Sequence, residues 1–142
     1  MSALVADTGG LLRALARRPD GRAAWPDYER ALRDASAVIV PALVLAEVDY
    51  FLRHERQAMR KLVMEIVDPR TTYELEPVSA ADLARALQLD AKFHELELGL
   101  VDAMVAAVAE RRRVSRVLTS DRRDFSAVRV GARHTQTLTL LP

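Results

Sequence analysis

Short apolar runs alternate with amphipathic stretches along the chain, and the spacing of the apolar positions separates strands from helices. Ser2–Ala6 is a brief apolar run that stops at Asp7-Thr8-Gly9-Gly10, which reads as a buried strand ending in a turn. Leu11–Arg18 has helical spacing and is broken by Pro19-Asp20-Gly21. A second helix is expected over Pro26–Ala35, where Tyr28, Ala31 and Leu32 fall on one face. Ala37–Val40 reads as a second buried strand, and Pro41 suits the first turn of a helix running to about His54. Arg56–Val67 forms the next helix and ends before Pro69. Tyr73-Glu74-Leu75, behind two threonines, looks like a third strand. Ser79 caps a helix that continues to about Phe93. Gly99 precedes a long helix over Leu100–Arg112, Arg116–Thr119 is a fourth strand, and Thr135–Leu140 is a short fifth.

This alternation predicts an α/β fold with a parallel sheet covered by helices on both faces. A chain of 142 residues is the usual size for one core, so residues 1–142 are expected to form a single domain. With 50% hydrophobic residues there is enough apolar material to fill that core. No cysteine is present, which excludes disulfides and thiolate metal sites. The first apolar run is too short for a signal peptide and lacks a basic start. The longer apolar stretches, Val38–Ala46 and Leu98–Ala109, are too short or carry an acid, so no membrane span is expected and the reading is cytoplasmic.

The net charge of +1 neither demands nor forbids a nucleic-acid partner. Basic residues cluster at Arg53–Lys61, Arg111–Arg116 and Arg122–Arg133, but such runs are more often solvated helix faces than binding sites. The acids change the picture. In open α/β sheets, sites form beyond the C-terminal ends of strands. Asp7 follows the first strand, and Asp121 follows the fourth after Thr119-Ser120. Taken singly, either could cap a helix. Glu47 shares a helical face with Leu43, Val44, Tyr50 and Phe51, which turns it toward the core side. Asp102 stands among Leu98, Gly99, Val105 and Ala106 in a first helical turn, where the helix dipole favours a carboxylate.

A carboxylate on an apolar face is costly unless it is paired or binds a metal. A buried salt bridge to an arginine accounts for one such acid; four acids together ask for more. At about 5 Å separation and an effective dielectric near 20, each ionised pair repels by about 3 kcal/mol. A converging cluster would hold protons or bind a cation, and an all-oxygen set suits Mg²⁺ or Mn²⁺. Asp124, three positions after Asp121, is either a further ligand or a helix acid paired with Arg122 or Arg123. Thr8 and Ser120 can orient carboxylates or water through their hydroxyls, or simply shape turns. Arg122 and Arg123 put cations where a polyanion's backbone could dock. His54, His94 and His134 have no ligand-like spacing, and Trp25 reads as a core or helix-entry residue.

Four ordered motifs carry a family resemblance: Leu4-Val5-Ala6-Asp7-Thr8-Gly9, Val40-Pro41-Ala42-Leu43-Val44-Leu45-Ala46-Glu47-Val48, Leu98-Gly99-Leu100-Val101-Asp102-Ala103 and Leu118-Thr119-Ser120-Asp121-Arg122-Arg123-Asp124-Phe125. In these the chain resembles PIN-domain ribonucleases, in particular the VapC-type toxins of bacterial toxin–antitoxin pairs. Ala6 and Gly9 depart from the usual pattern, and neither removes a ligand. The resemblance implies a three-layer α/β/α sandwich with a mainly parallel sheet of four to five strands, and a Mg²⁺- or Mn²⁺-dependent endoribonuclease. It implies that Asp7, Asp102 and Asp121 hold the metal, and that Glu47 is a ligand or positions the water. It further implies an RNA substrate, a homodimer, and an antitoxin whose C-terminal segment covers the active-site groove. Three other readings compete. A receiver-like phosphotransfer domain wants paired acids after the first strand and a Lys after the last. A dehalogenase-type phosphatase wants an Asp where Gly9 stands. A PIN-like module that binds without cutting would have an incomplete acid set.

Overall fold

The apolar runs that alternate with helices are buried because they lie side by side. The computed structural model describes residues 2–142. Strands β1 (Leu4–Ala6), β2 (Val38–Pro41), β3 (Tyr73–Glu76), β4 (Arg116–Leu118) and β7 (Thr139–Leu141) form one sheet in the order β3-β2-β1-β4-β7. Every pairing in it is parallel. The central strands β1 and β2 are buried at each position, as expected of a sheet covered on both faces. The edge strand β3 instead carries glutamates, and these are used: Glu74 and Glu76 meet Arg112, and Glu76 meets Arg111.

The flanking helices are α1 (Thr8–Leu15), α2 (Pro26–Asp34), α3 (Ala42–Phe51), α4 (Arg56–Val67), α5 (Ala80–Lys92), α6 (Gly99–Arg112) and α7 (Arg122–Ala127). Helix α6 is buried continuously from Ala103 to Ala109, which is why its sequence has small apolar residues on every side rather than a stripe. It packs against α5 and against β1 and β2. Charged clamps fix its outer end. Arg85 grips Glu110 with two 2.8 Å bonds, and Arg111 grips the buried Asp82 at 2.8 and 2.9 Å. The basic cluster at Arg111–Arg116 is therefore mostly structural.

Three local expectations need correction. The first helix begins at Thr8, not Leu11, and ends at Leu15. Gly9 and Gly10 are helical rather than a turn because their missing side chains let α1 start hard against β4. Pro41 closes β2 rather than opening α3. The single strand expected over Thr135–Leu140 is split. Residues Gln136–Thr137 form β6, antiparallel to an unexpected β5 (Arg129–Val130), and Thr139–Leu141 then joins the main sheet beside β4. The buried Leu138 is the pivot between the two.

Candidate active site

The C-terminal ends of β1 and β4 are neighbours, and this brings the first and last acidic motifs together. The Asp7 amide donates to the Leu118 carbonyl at 2.9 Å. The approach of α1 to β4 is close enough that a Cβ on Gly10 would lie 2.1 Å from the Leu118 carbonyl oxygen. One on Gly9 would lie 1.9 Å from Ser120 Oγ.

Asp7 occupies the N-cap position of α1, yet its side chain makes no capping bond. It is 4% exposed. Its Oδ2 accepts from Thr119 Oγ1 at 2.9 Å, while its Oδ1 is buried with no partner. Burial pushes its pKa up. The Thr119 bond and the nearby Thr8 backbone N–H pull the other way, and the charges of Glu47 and Asp121 add to the rise. Thr119 is wholly buried and ties the two strand ends together, because the same hydroxyl accepts the Asp121 amide at 2.9 Å. The sequence marks Thr119 only as the end of a strand; the signal for its role is a hydroxyl at the end of an otherwise apolar run.

Asp102 enters from the first turn of α6. There burial, then the charges of Asp7, Asp121, Glu47 and Asp124, push its pKa up to about 7. The helix dipole that was expected to favour its carboxylate form is outweighed. Asp121 caps α7 by accepting the Asp124 amide at 3.2 Å. Each of Asp102, Asp121 and Asp124 offers a carboxylate oxygen, and these lie within 4.8 Å of one another. Asp124 is pushed up as well, by desolvation first and then by Asp121, against the pull of Arg123.

Glu47 faces the same cleft from α3. It is half-buried and sits where the buried Val44 and Val48 give way to Tyr50 and Phe51, which are 61% and 55% exposed. Phe51 lines the cleft beside it, so Glu47 stands on a cleft wall rather than on the core side. Among the described residues none of the five acids forms an ion pair with a Lys, Arg or His. The buried salt bridge that would explain Glu47 is not made, and Asp124 is not paired with Arg122 or Arg123. Both arginines are exposed.

The cleft, about 410 Å³, is lined by Asp7, Glu47, Asp102 and Asp121 together with Thr8, Gly9, Ser120, Leu12, Arg13 and Phe51. Thr8 Oγ1 is buried without a partner. Arg13 and Phe51 were missed from sequence, since neither stands in an acidic motif. Trp25 is the helix-entry contact of α2, stacked edge-on with Tyr28 and 44% exposed, so it is not core. None of the histidines lines the cleft. A larger cavity of about 460 Å³ lies elsewhere, beside Glu110 and Gln136, but the Glu110 carboxylate there is already taken by Arg85 and the Gly131 amide.

Unneutralised carboxylates around an orphaned buried oxygen make a hard, all-oxygen donor set, which fits a divalent cation of the Mg²⁺ or Mn²⁺ kind. Such a set can hold an ion against a phosphate. Among the described residues no helix is long and apolar enough to cross a membrane.

Comparison with known proteins gives the chain its family. The PIN domain family model matches residues 4–131. Ribonuclease VapC26 of Mycobacterium tuberculosis is 30% identical over 127 residues, covering 89% of this chain and 92% of that one. Among solved structures, the sarcin-ricin loop cleaving toxin VapC20 of M. tuberculosis superposes with a TM-score of 0.70 at 20% identity, over 87% of this chain and 94% of its own. VapBC2 of Rickettsia felis, bound to a promoter DNA fragment, matches at 0.64 and 18% identity over 99% and 97%. A toxin–antitoxin complex from Klebsiella pneumoniae matches at 0.64 and 21% identity over 87% and 91%. With its acids placed by the ends of β1 and β4 and the starts of α6 and α7, the chain belongs to the PIN-domain family, as a VapC-type member.

Proposed function

We propose that this chain is an endoribonuclease that hydrolyses RNA phosphodiester bonds with Mg²⁺ or Mn²⁺, and that it acts in the cytoplasm as the toxin of a toxin–antitoxin pair. The observation that carries this is the convergence of Asp7, Glu47, Asp102, Asp121 and Asp124 with no basic partner, in a chain of the VapC type. Asp7, Glu47, Asp102 and Asp121 would hold the metal, with Asp124 completing the cluster beside Asp121. A divalent ion bound there supplies Lewis acidity toward the phosphate and makes water a stronger nucleophile at neutral pH.

The protein's own part is preorganisation. Thr119 holds Asp7 by one oxygen and leaves the other without a partner. The α7 cap fixes Asp121 against Asp124. Glu47 orients the attacking water, whose oxygen bonds to phosphorus as one ribose–phosphate ester bond breaks and the leaving oxygen takes up a proton. Thr8 and Ser120 offer hydroxyls at the cleft wall, and Arg122 and Arg123 dock the RNA backbone. By likeness to the toxin–antitoxin complexes, the partner is an antitoxin protein; the family resemblance adds that its C-terminal segment lies over the acidic groove and that the toxin is a homodimer.

The test is incubation of purified wild type and Asp7→Asn with total RNA, in Mn²⁺ and in EDTA. Discrete fragments only from wild type with metal are expected, with Asp7→Asn remaining folded. Intact RNA from folded, antitoxin-free wild type would overturn the nuclease reading.

A further inference from the structure

Arg13 is the one cationic side chain lining the acidic cleft among the described residues, and it is spent on none of the acids. Its guanidinium carbon sits 4.2 Å from the centre of the Trp25 ring and 5.4 Å from that of Tyr28. Its Nη1 donates to the Tyr28 hydroxyl at 3.3 Å. That hydroxyl has a single proton, which it gives to the Thr119 carbonyl at 2.9 Å, so it meets Arg13 as an acceptor. Tyr28 is buried, and Thr119 is the residue that holds Asp7. A chain of contacts therefore runs from the cleft wall to the strand ends that carry the acids.

This geometry has a consequence for charge. A guanidinium stacked on aromatic rings and bonded to a neutral oxygen is held in place without being neutralised. Most of its five N–H donors are free for an anion. The carboxylates nearby repel anions, so an unpaired cation on the same wall offsets that repulsion where a polyanion must enter. Phe51 lines the same cleft and is 55% exposed, a face on which an unstacked base can lie. A duplex keeps its bases stacked inside, so the pairing of a phosphate site with an open ring favours single-stranded RNA.

We propose that Arg13 is a phosphate-binding residue of this site, taking a phosphodiester next to the scissile one in single-stranded RNA. This rests on the ribonuclease reading above. The experiment measures binding, not cleavage, by fluorescence anisotropy of a fluorescein-labelled single-stranded RNA of mixed sequence, in the Asp7→Asn background with Mn²⁺. Adding Arg13→Met, which keeps the stem against Trp25, should weaken binding about tenfold or more, as loss of a charge-assisted bond requires. It should also make the plot of log affinity against log salt shallower by about 0.7, the signature of one lost phosphate contact on a single strand. Arg13→Lys should keep the salt slope. Arg13→Gln serves the same test should Arg13→Met not fold. Unchanged affinity and slope in a folded variant overturn the proposal, as does weaker binding with an unchanged slope. If the RNA fails to bind even with Arg13 intact, and wild type does not cut, the ribonuclease reading itself falls.

Discussion

Replacing Asp102 with Asn should stabilise the metal-free protein, by an amount that grows with pH. Asp102 has an ordinary pKa of 3.8 when unfolded and about 7 in the fold, because burial and the surrounding acids oppose its charge. The folded protein thus binds the proton more tightly than the unfolded chain does. Stability is then lost as pH rises from about 4 through about 7, and the loss is complete above the folded pKa. A shift of about three units corresponds to about 4 kcal/mol as an upper bound, which solvent in the open cleft trims. Asparagine carries no such charge, so the advantage of Asp102→Asn should widen by about 2 to 3 kcal/mol between pH 5 and pH 8. Urea unfolding followed by circular dichroism in EDTA at several pH values measures this directly. Saturating Mn²⁺ should then narrow or reverse the gap, since wild type gains about 2.7 kcal/mol from a ligand at 100 times its Kd. A gap that stays constant with pH, or a variant less stable than wild type at pH 8, would refute the picture of Asp102 as a carboxylate crowded by like charges.

Two further substitutions probe how the site is braced. Gly10→Ala should cost about 2 kcal/mol or more, because its Cβ meets the Leu118 backbone, while Gly9→Ala meets the movable Ser120 hydroxyl and should cost less; equal losses in chemical denaturation would contradict this. Thr119→Val removes the partner of both Asp7 and the Asp121 amide, so it should lower kcat more than it raises KM and cost about 2 kcal/mol of stability, with Thr119→Ser restoring both; unaltered kcat in a folded Val variant would show that Asp7 needs no such holding.

Much of this molecule is legible in the chain because its elements are locally consistent. Val38–Val40 and Leu4–Ala6 are apolar without interruption because the strands are covered on both faces, and Arg56–Val67 carries helical spacing from its first to its last residue. Glu47 and Asp102 stand out because each breaks an apolar context, and Asp7 and Asp121 because each follows the end of a buried strand. The missed features are those fixed by contacts distant in sequence. Gly9 and Gly10 look like a turn until β4 is placed against them. Arg13 looks like an ordinary helix arginine until α2 supplies Trp25 and Tyr28. The register of Thr135–Leu141 depends on which neighbour each half finds, and β5 is too short to show a period.

The acids are also spread along the chain in a way that matters during synthesis. Asp7 and Glu47 come early, while Asp102, Asp121 and Asp124 come late, and β1 completes its pairing only when β4 arrives beside it. A chain still emerging from the ribosome therefore carries two of its carboxylates but no cleft to hold them. The pairing that assembles the cleft spans more than a hundred residues, so it is among the slower contacts to close. The architecture thereby delays assembly of the acidic cluster until β4 and the residues that follow it have been made.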